Sequence, residues 1–114
     1  MPTFECFDVV RVPFPFADRN ARKNRPALVL SEGPVFNAPV GHSVMAMITS
    51  QDNPPWPLDC RIGDLGEAGL PVASMVRFKL FTLDHRLVRG HLGKLSSADA
   101  DAVRVALGAL FGMP

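Results

Sequence analysis

Residues 19–25, RNARKNR, hold four of the chain's twelve Lys and Arg residues and no acid. Arg19, Arg22 and Lys23 read as members of a polar loop. Arg25 differs because it stands directly before Pro26 and the apolar run PALVLS, so a strand anchors its backbone at one end. A guanidinium is a planar fork of donors matched to phosphate. Held where charge builds on a pentacoordinate phosphorus, it favours the transition state over the ground state. The plain alternative for the same charges is a solvated loop face.

Three polar residues leave the third apolar run together: Thr49, Ser50 and Gln51. Hydroxyls at such a position often satisfy turn backbone. Thr49 becomes a site residue if it shares a cleft with Arg25 and donates to a phosphate oxygen. Trp56 among prolines, and Phe36 in the long segment before it, could stack on a base, since every base has a π-face, or could cap the core. Arg77 and Lys79 alternate on one face of a later strand and could extend a basic surface along a nucleic-acid backbone, or simply be a solvated strand face. The three histidines, His42, His85 and His91, are widely spaced, and isolated histidines are more often structural than catalytic.

The sequence has no HExxH, no Cys-x-x-Cys and no dense carboxylate cluster, so metal-assisted hydrolysis has little support and metal-free chemistry is expected. No metal and no cofactor is implied. No GxGxxG or GxxxxGK[ST] occurs. Cys6 and Cys60 are the only cysteines and read as idle or buried thiols, with neither a disulfide scaffold nor a zinc site. With 114 residues, 47% hydrophobic and 20% charged, the chain fits one folded domain spanning 1–114, able to bury roughly two thirds of its unfolded surface. No apolar run approaches the ~20 residues of a membrane span, and the start lacks the pattern of a secretory signal, so a cytoplasmic protein is expected. The net charge of +1 is lopsided, so an anionic partner is expected to be met locally.

These residues need elements to hold them. Residues 6–16 read as a first strand, with Val10, Val12 and Phe14 on one face and Val9 and Arg11 on the other. Pro13 and Pro15 place its second half at an edge or out of the sheet before the polar loop. Residues 26–31 read as a strand buried on both sides, residues 43–49 as a third, and 51–58 as a proline-broken surface loop. Residues 58–62 add a short strand, and GDLGEAGLP reads as a turn whose three glycines take positive φ. Residues 72–83 form the longest β run. A helix closes the chain: Ser96 and Asp99 make a capping box, Val103, Ala106, Leu107, Leu110 and Phe111 follow helical spacing, and Gly112 ends it. Many strands, turn-rich connections and one helix indicate a small curled or barrel-like sheet with a packed helix, and no doubly wound fold.

Taken in order, these segments resemble the MazF/PemK family of toxins, which includes Kid and CcdB-like members. Asp8 to Phe16, DVVRVPFPF, is similar to the family's opening strand. Asn24 to Ser31, NRPALVLS, is similar to its R-P-A-[LV]-[VI]-[LI]-S strand, and Met47-Ile48-Thr49-Ser50 to its third. Ser74 to Arg77, Leu80 to Asp84 and Leu92 to Ser96 resemble the later segments before the closing helix.

The resemblance implies a mainly β (α+β) fold, an SH3-like small barrel with a C-terminal α-helix. It also implies a homodimer, a cognate antitoxin partner, and metal-independent cleavage of single-stranded RNA by attack of a ribose 2′-hydroxyl on the adjacent phosphate. Arg25 and Thr49 stand where the family carries catalytic residues, and Arg77 where Kid-like members carry a second arginine. An arginine stays protonated and is a poor base, so Arg25 is expected to act electrostatically. Three departures stand out: Phe7 replaces the glycine before the Asp, Lys79 replaces a catalytic Asp of Kid-like members, and Asp18 is the first loop's only acid, leaving the proton acceptor unassigned. The alternatives are a CcdB-like gyrase-targeting toxin and a non-catalytic RNA-binding module of the same fold.

Overall fold

The computed structural model describes residues 3–13 and 23–113. Strand β1 (Asp8–Pro13) buries both faces, with Val9 in one apolar cluster and Val10 and Val12 in another. Its expected continuation to residue 16 lies outside the described residues. β1 lies between β2 (Asn24–Val29) and β6 (Gly90–Lys94), but β6 pairs only as far as Arg11, so Val12 and Pro13 form an edge on that side, as the prolines suggest. Pro13 is tolerated there because its missing N–H costs nothing on that side. β2 starts two residues before Pro26, since β1 pairs with Asn24, Arg25 and Pro26 before β3 (His42–Ser50) joins at Ala27.

Among the described residues six strands form one curled antiparallel sheet in the order β4-β5-β3-β2-β1-β6, with β4 at Cys60–Arg61 and β5 at Ser74–Asp84. β3 pairs with β5 along its whole length, apart from a bulge opposite Ala46 and Met47 that bends the sheet. One side of the sheet, with Val9, Leu28, Ala46, Ile48 and Val76, packs on Ala100 and Val103 of the closing helix. The opposite side, with Val10, Val12, Ala27, Val29 and Met45, is covered by Phe4, Leu83 and Val88. The mainly β fold with a C-terminal helix is thus the one expected.

The connection after β2 is not a plain loop. It holds a wide helical turn (Gly33–Asn37) and a second turn, α1 (Ala38–Val40). Buried Asn37 organises it: Nδ2 donates to the carbonyls of Phe4 (2.7 Å) and Ser31 (2.9 Å), and Oδ1 accepts from Ser31 Oγ. The side chain is therefore satisfied without water. The expected glycine turn is instead a short helix, α2 (Leu65–Ala68), capped by Asp64, whose Oδ1 accepts from the Glu67 N–H at 3.0 Å. Of its three glycines only Gly69 takes a positive φ, 74°. A Cβ there would stand 2.0 Å from the Leu92 carbonyl oxygen, so the end of α2 lies directly on β6.

The closing helix, α3 (Ser97–Phe111), starts at Ser96, whose Oγ accepts from the Asp99 N–H at 3.2 Å. The second half of the capping box is absent. The Asp99 carboxylate instead accepts from the N–H groups of Gly63 (2.9 Å) and Asp64 (3.0 Å), which ties α3 to the segment before α2. Ala100, Val103 and Ala106 are buried, whereas Leu110 and Phe111 are exposed. Gly112 ends the helix as expected, with the Met113 N–H donating to the Gly108 carbonyl at 2.7 Å. At the other end of the chain, Phe7 has φ 73°, a left-handed conformation that glycine adopts at no cost. The backbone keeps that shape while the Phe7 ring is buried beneath the Arg104 guanidinium, 4.8 Å from its centroid.

Candidate functional site

Arg25 is the second residue of β2, and Thr49 is the penultimate residue of β3. The two strands pair antiparallel with Ala27 opposite Met47 and Val29 opposite Met45. Continuing that register two residues toward the start of β2 sets Arg25 across from Thr49. Side chains on directly opposed positions share a face, so the two residues stand on the side that carries Ala27, Val29 and Met45. Arg25 is half-buried and, among the described residues, has no ion-pair or hydrogen-bond partner. Thr49 is buried, and its Oγ1 accepts from Asn53 Nδ2 at 2.5 Å. A hydroxyl that accepts one bond keeps its own proton to donate.

Arg77 also stands on this face, opposite Met47, but its charge is already engaged. Its Nη2 donates to Asp59 Oδ2 at 3.0 Å and to the Pro54 carbonyl at 2.7 Å, and Nε donates to Asp59 Oδ1 at 3.3 Å. The guanidinium lies 4.9 Å from the centroid of the Trp56 ring, which is 45% exposed. Asp59 Oδ2 further accepts from the Trp56 N–H at 2.8 Å. Arg77 and Asp59 therefore fasten the proline-rich loop to β5 and hold one face of Trp56. Asp59 was not singled out in the sequence, where a lone acid in a loop carries no signal.

The remaining candidates are dispersed. Lys23 is exposed before β2, and Arg19 and Arg22 lie outside the described residues, as does Asp18. Ser50 Oγ accepts from the Asp52 N–H at 3.2 Å, a turn-satisfying role, while exposed Gln51 uses its N–H on the Ala73 carbonyl. Lys79 lies in the β5 bulge, and alternation puts it on the Arg77 face. Phe36 is at the exposed margin of the wide turn.

Two of the three histidines come together, at the far end of the sheet. Ser43 Oγ and His85 Nε2 are 2.7 Å apart, and His42 Nε2 is 3.9 Å from Asp84. Burial lowers the His85 pKa below its ordinary value. Seven residues separate His42 from Thr49 along β3, roughly 23 Å of strand, so neither His42 nor His85 reaches the Arg25–Thr49 face. Cys6 and Cys60 are unbridged, and burial pushes the Cys6 thiol up to about 11. Among the described residues no group of three or more His, Cys, Asp or Glu is placed to hold a metal ion. Among the described residues no helix is long and apolar enough to cross a membrane.

Arg25 also borders a cavity of about 580 Å³ on the other side of β2, between the β1–β2 ladder, α2 and β6. A family model described as PemK-like, MazF-like toxin of type II toxin-antitoxin system matches residues 5–111. The chain belongs to this toxin family. Its members are toxins of type II toxin–antitoxin systems, and this chain is one of them. It is similar to MazF from Deinococcus radiodurans, with 27% identity over 99% of this chain and 100% of that one and a TM-score of 0.76. It is similar to a chain of the MazE–MazF complex from the same organism, with 24% identity, full coverage of both chains and a TM-score of 0.76. A mycobacterial endoribonuclease solved in complex with its cognate antitoxin shares the fold, at 19% identity over 100% of this chain and 98% of that one, with a TM-score of 0.77. No curated protein sequence matches the chain.

Proposed function

We propose that this MazF-like toxin is a metal-independent endoribonuclease that cleaves single-stranded RNA in the cytoplasm, acts as a homodimer and is neutralised by a cognate antitoxin. One feature carries the reading: the β2–β3 register, continued two residues past its last pair at Ala27 and Met47, sets Arg25, which no carboxylate engages among the described residues, across from the buried hydroxyl of Thr49 on one face of the sheet. The relative solved with its antitoxin, named an endoribonuclease, supports it.

In this reading the ribose 2′-hydroxyl attacks the adjacent phosphorus, the 5′-oxygen of the next nucleotide leaves, and a cyclic phosphate and a 5′-hydroxyl result. Arg25 stabilises the charge that grows on the phosphoryl oxygens. Thr49, fixed by Asn53, donates its hydroxyl proton to one of those oxygens. Both act by pre-set charge and geometry, which suits a guanidinium that does not give up its proton. Trp56, with one face held by Arg77, offers the other to a base, and Lys23 with Arg19 and Arg22 would attract the backbone.

Incubation of the purified protein with a long single-stranded RNA in EDTA tests this. Discrete fragments ending in cyclic phosphate are expected, and intact RNA across varied sequences overturns it. Lys79, where Kid-like relatives carry an acid, favours a second reading, a non-catalytic RNA-binding module. Salt-sensitive RNA binding with no cleavage selects that one, and gyrase-dependent DNA breaks with RNA untouched select the gyrase-targeting alternative.

A further inference from the structure

The cavity of about 580 Å³ beside Arg25 has a consistent chemistry. Its walls are apolar and largely aliphatic, from Pro26, Leu70, Pro71 and Leu92, with Arg11 and Asn24 at its margin and no acidic side chain among the described residues that line it. Arg11 is exposed and, like Arg25, has no carboxylate partner among the described residues. It pairs across the ladder with Pro26 on one side and Gly90 on the other. Its guanidinium lies over Gly90, with Nη2 3.0 Å from where a Cβ would stand, so the missing side chain lets the cation settle against β6. The opposite wall is rigid: Cβ atoms at Gly69 and Gly93 would stand 2.0 Å from the Leu92 carbonyl oxygen and 2.3 Å from the Glu67 carbonyl oxygen.

A slot with apolar walls, the unengaged Arg11 guanidinium, Arg25 at its border and an exposed amide fits a planar, uncharged body attached to an anion. Its size lies within the range of small-ligand sites. A nucleotide has that build: the base buries its faces on the proline and leucine walls, the phosphate meets a guanidinium, and the Asn24 amide both donates and accepts along a base edge. An acidic peptide would use the cations and leave the apolar walls empty.

We infer that this cavity is a nucleotide subsite for the RNA residue flanking the scissile phosphate, with Arg11 as a positioning residue. Arg25 is the junction, since it stands on the Thr49 face and also borders the cavity, so a strand cleaved at Arg25 has its neighbouring nucleotide at the cavity mouth. The inference rests on the RNA-cleaving reading above. It assigns sequence preference partly to α2 and β6, elements distant in sequence from Arg25 and Thr49.

The test uses the full chain and a 2′-O-methyl RNA oligonucleotide, which cannot be cleaved, with binding read by fluorescence anisotropy. Arg11→Ala removes the cation. Gly66→Trp fills space at the cavity wall, at a position where φ is not positive and an added Cβ meets nothing closer than 3.7 Å. Each variant should weaken binding roughly tenfold, the scale of one base contact, with unaltered thermal unfolding. Arg11→Ala should also lower the slope of log affinity against log salt by about 0.7. Unchanged affinity in both folded variants, with Arg25→Ala still abolishing RNA cleavage, overturns the subsite and leaves the nuclease reading intact. Loss of binding to an acidic peptide with RNA affinity unchanged also overturns it and assigns the cavity to a protein partner. A wild-type protein that neither binds nor cleaves RNA overturns both.

Discussion

Removing the Asp59 carboxylate should destabilise the protein far more than a loop residue ordinarily would. The Asp59 and Arg77 side chains are 9% and 8% exposed, and they meet through two donors at 3.0 and 3.3 Å. Breaking a buried pair by deleting one partner costs about 3–5 kcal/mol, because the other charge stays buried without compensation. Arg77 keeps the Pro54 carbonyl at 2.7 Å and the face of Trp56, so Asp59→Ala belongs at the low end, about 3 kcal/mol. For 114 residues the unfolding entropy is about 0.24 kcal/mol/K, which turns that loss into a fall of roughly 12 °C in Tm. Thermal unfolding followed by circular dichroism measures it. The Asp59→Leu/Arg77→Leu double variant should recover part of the loss, since two apolar groups leave no orphan charge. A fall under about 4 °C, or single effects that simply add, would refute the view that this pair holds the loop.

Other perturbations separate the remaining forces. Ser96→Ala should cost about 1 kcal/mol as a lost helix cap, and Asp99→Ala more, because the N–H groups of Gly63 and Asp64 lose their acceptor; urea midpoints measure both. Gly41→Ala, at φ 67° in open space, should lose about 1–2 kcal/mol. Gly69→Ala, at φ 74° and 2.0 Å from a carbonyl, should lose considerably more in the same titration. The folded His85 has a pKa below its ordinary 6.5 because burial disfavours the charged ring, with His42 adding repulsion. The unfolded chain then binds the proton first, so the stability held by neutral His85 is complete above about pH 6.5 and is lost as pH falls through the folded pKa. Urea midpoints should fall as pH drops below about 6.5, and His85→Gln should flatten that part of the profile.

Much of the fold is legible because period and punctuation mark it. The β-branched runs around Val9, Leu28, Ile48 and Val76 become strands, and the Ser96 and Gly112 signals bound the helix. What escapes is set by tertiary contacts. β6, GHLGK, has no alternating apolar pattern and exists because β1 pairs with it and Gly93 admits α2. The three-glycine segment looks like a turn, yet the Asp64 cap and packing on Leu92 wind it into α2. In the site, Arg25 and Thr49 could be nominated by residue type, whereas their alignment required the β2–β3 register. The Arg77 partner was invisible for the same reason: Asp59 and Arg77 are eighteen residues apart and meet only because the loop folds back over β5.

Single-turnover cleavage of a single-stranded RNA in EDTA by wild type, Arg25→Ala and Arg25→Lys tests the central claim most directly. Arg25→Ala should lower the rate by roughly 10²–10³-fold, the scale of one preorganised donor at a developing oxyanion, with Arg25→Lys intermediate because it keeps the charge and loses the fork. A rate unchanged by Arg25→Ala in a folded protein would contradict the account.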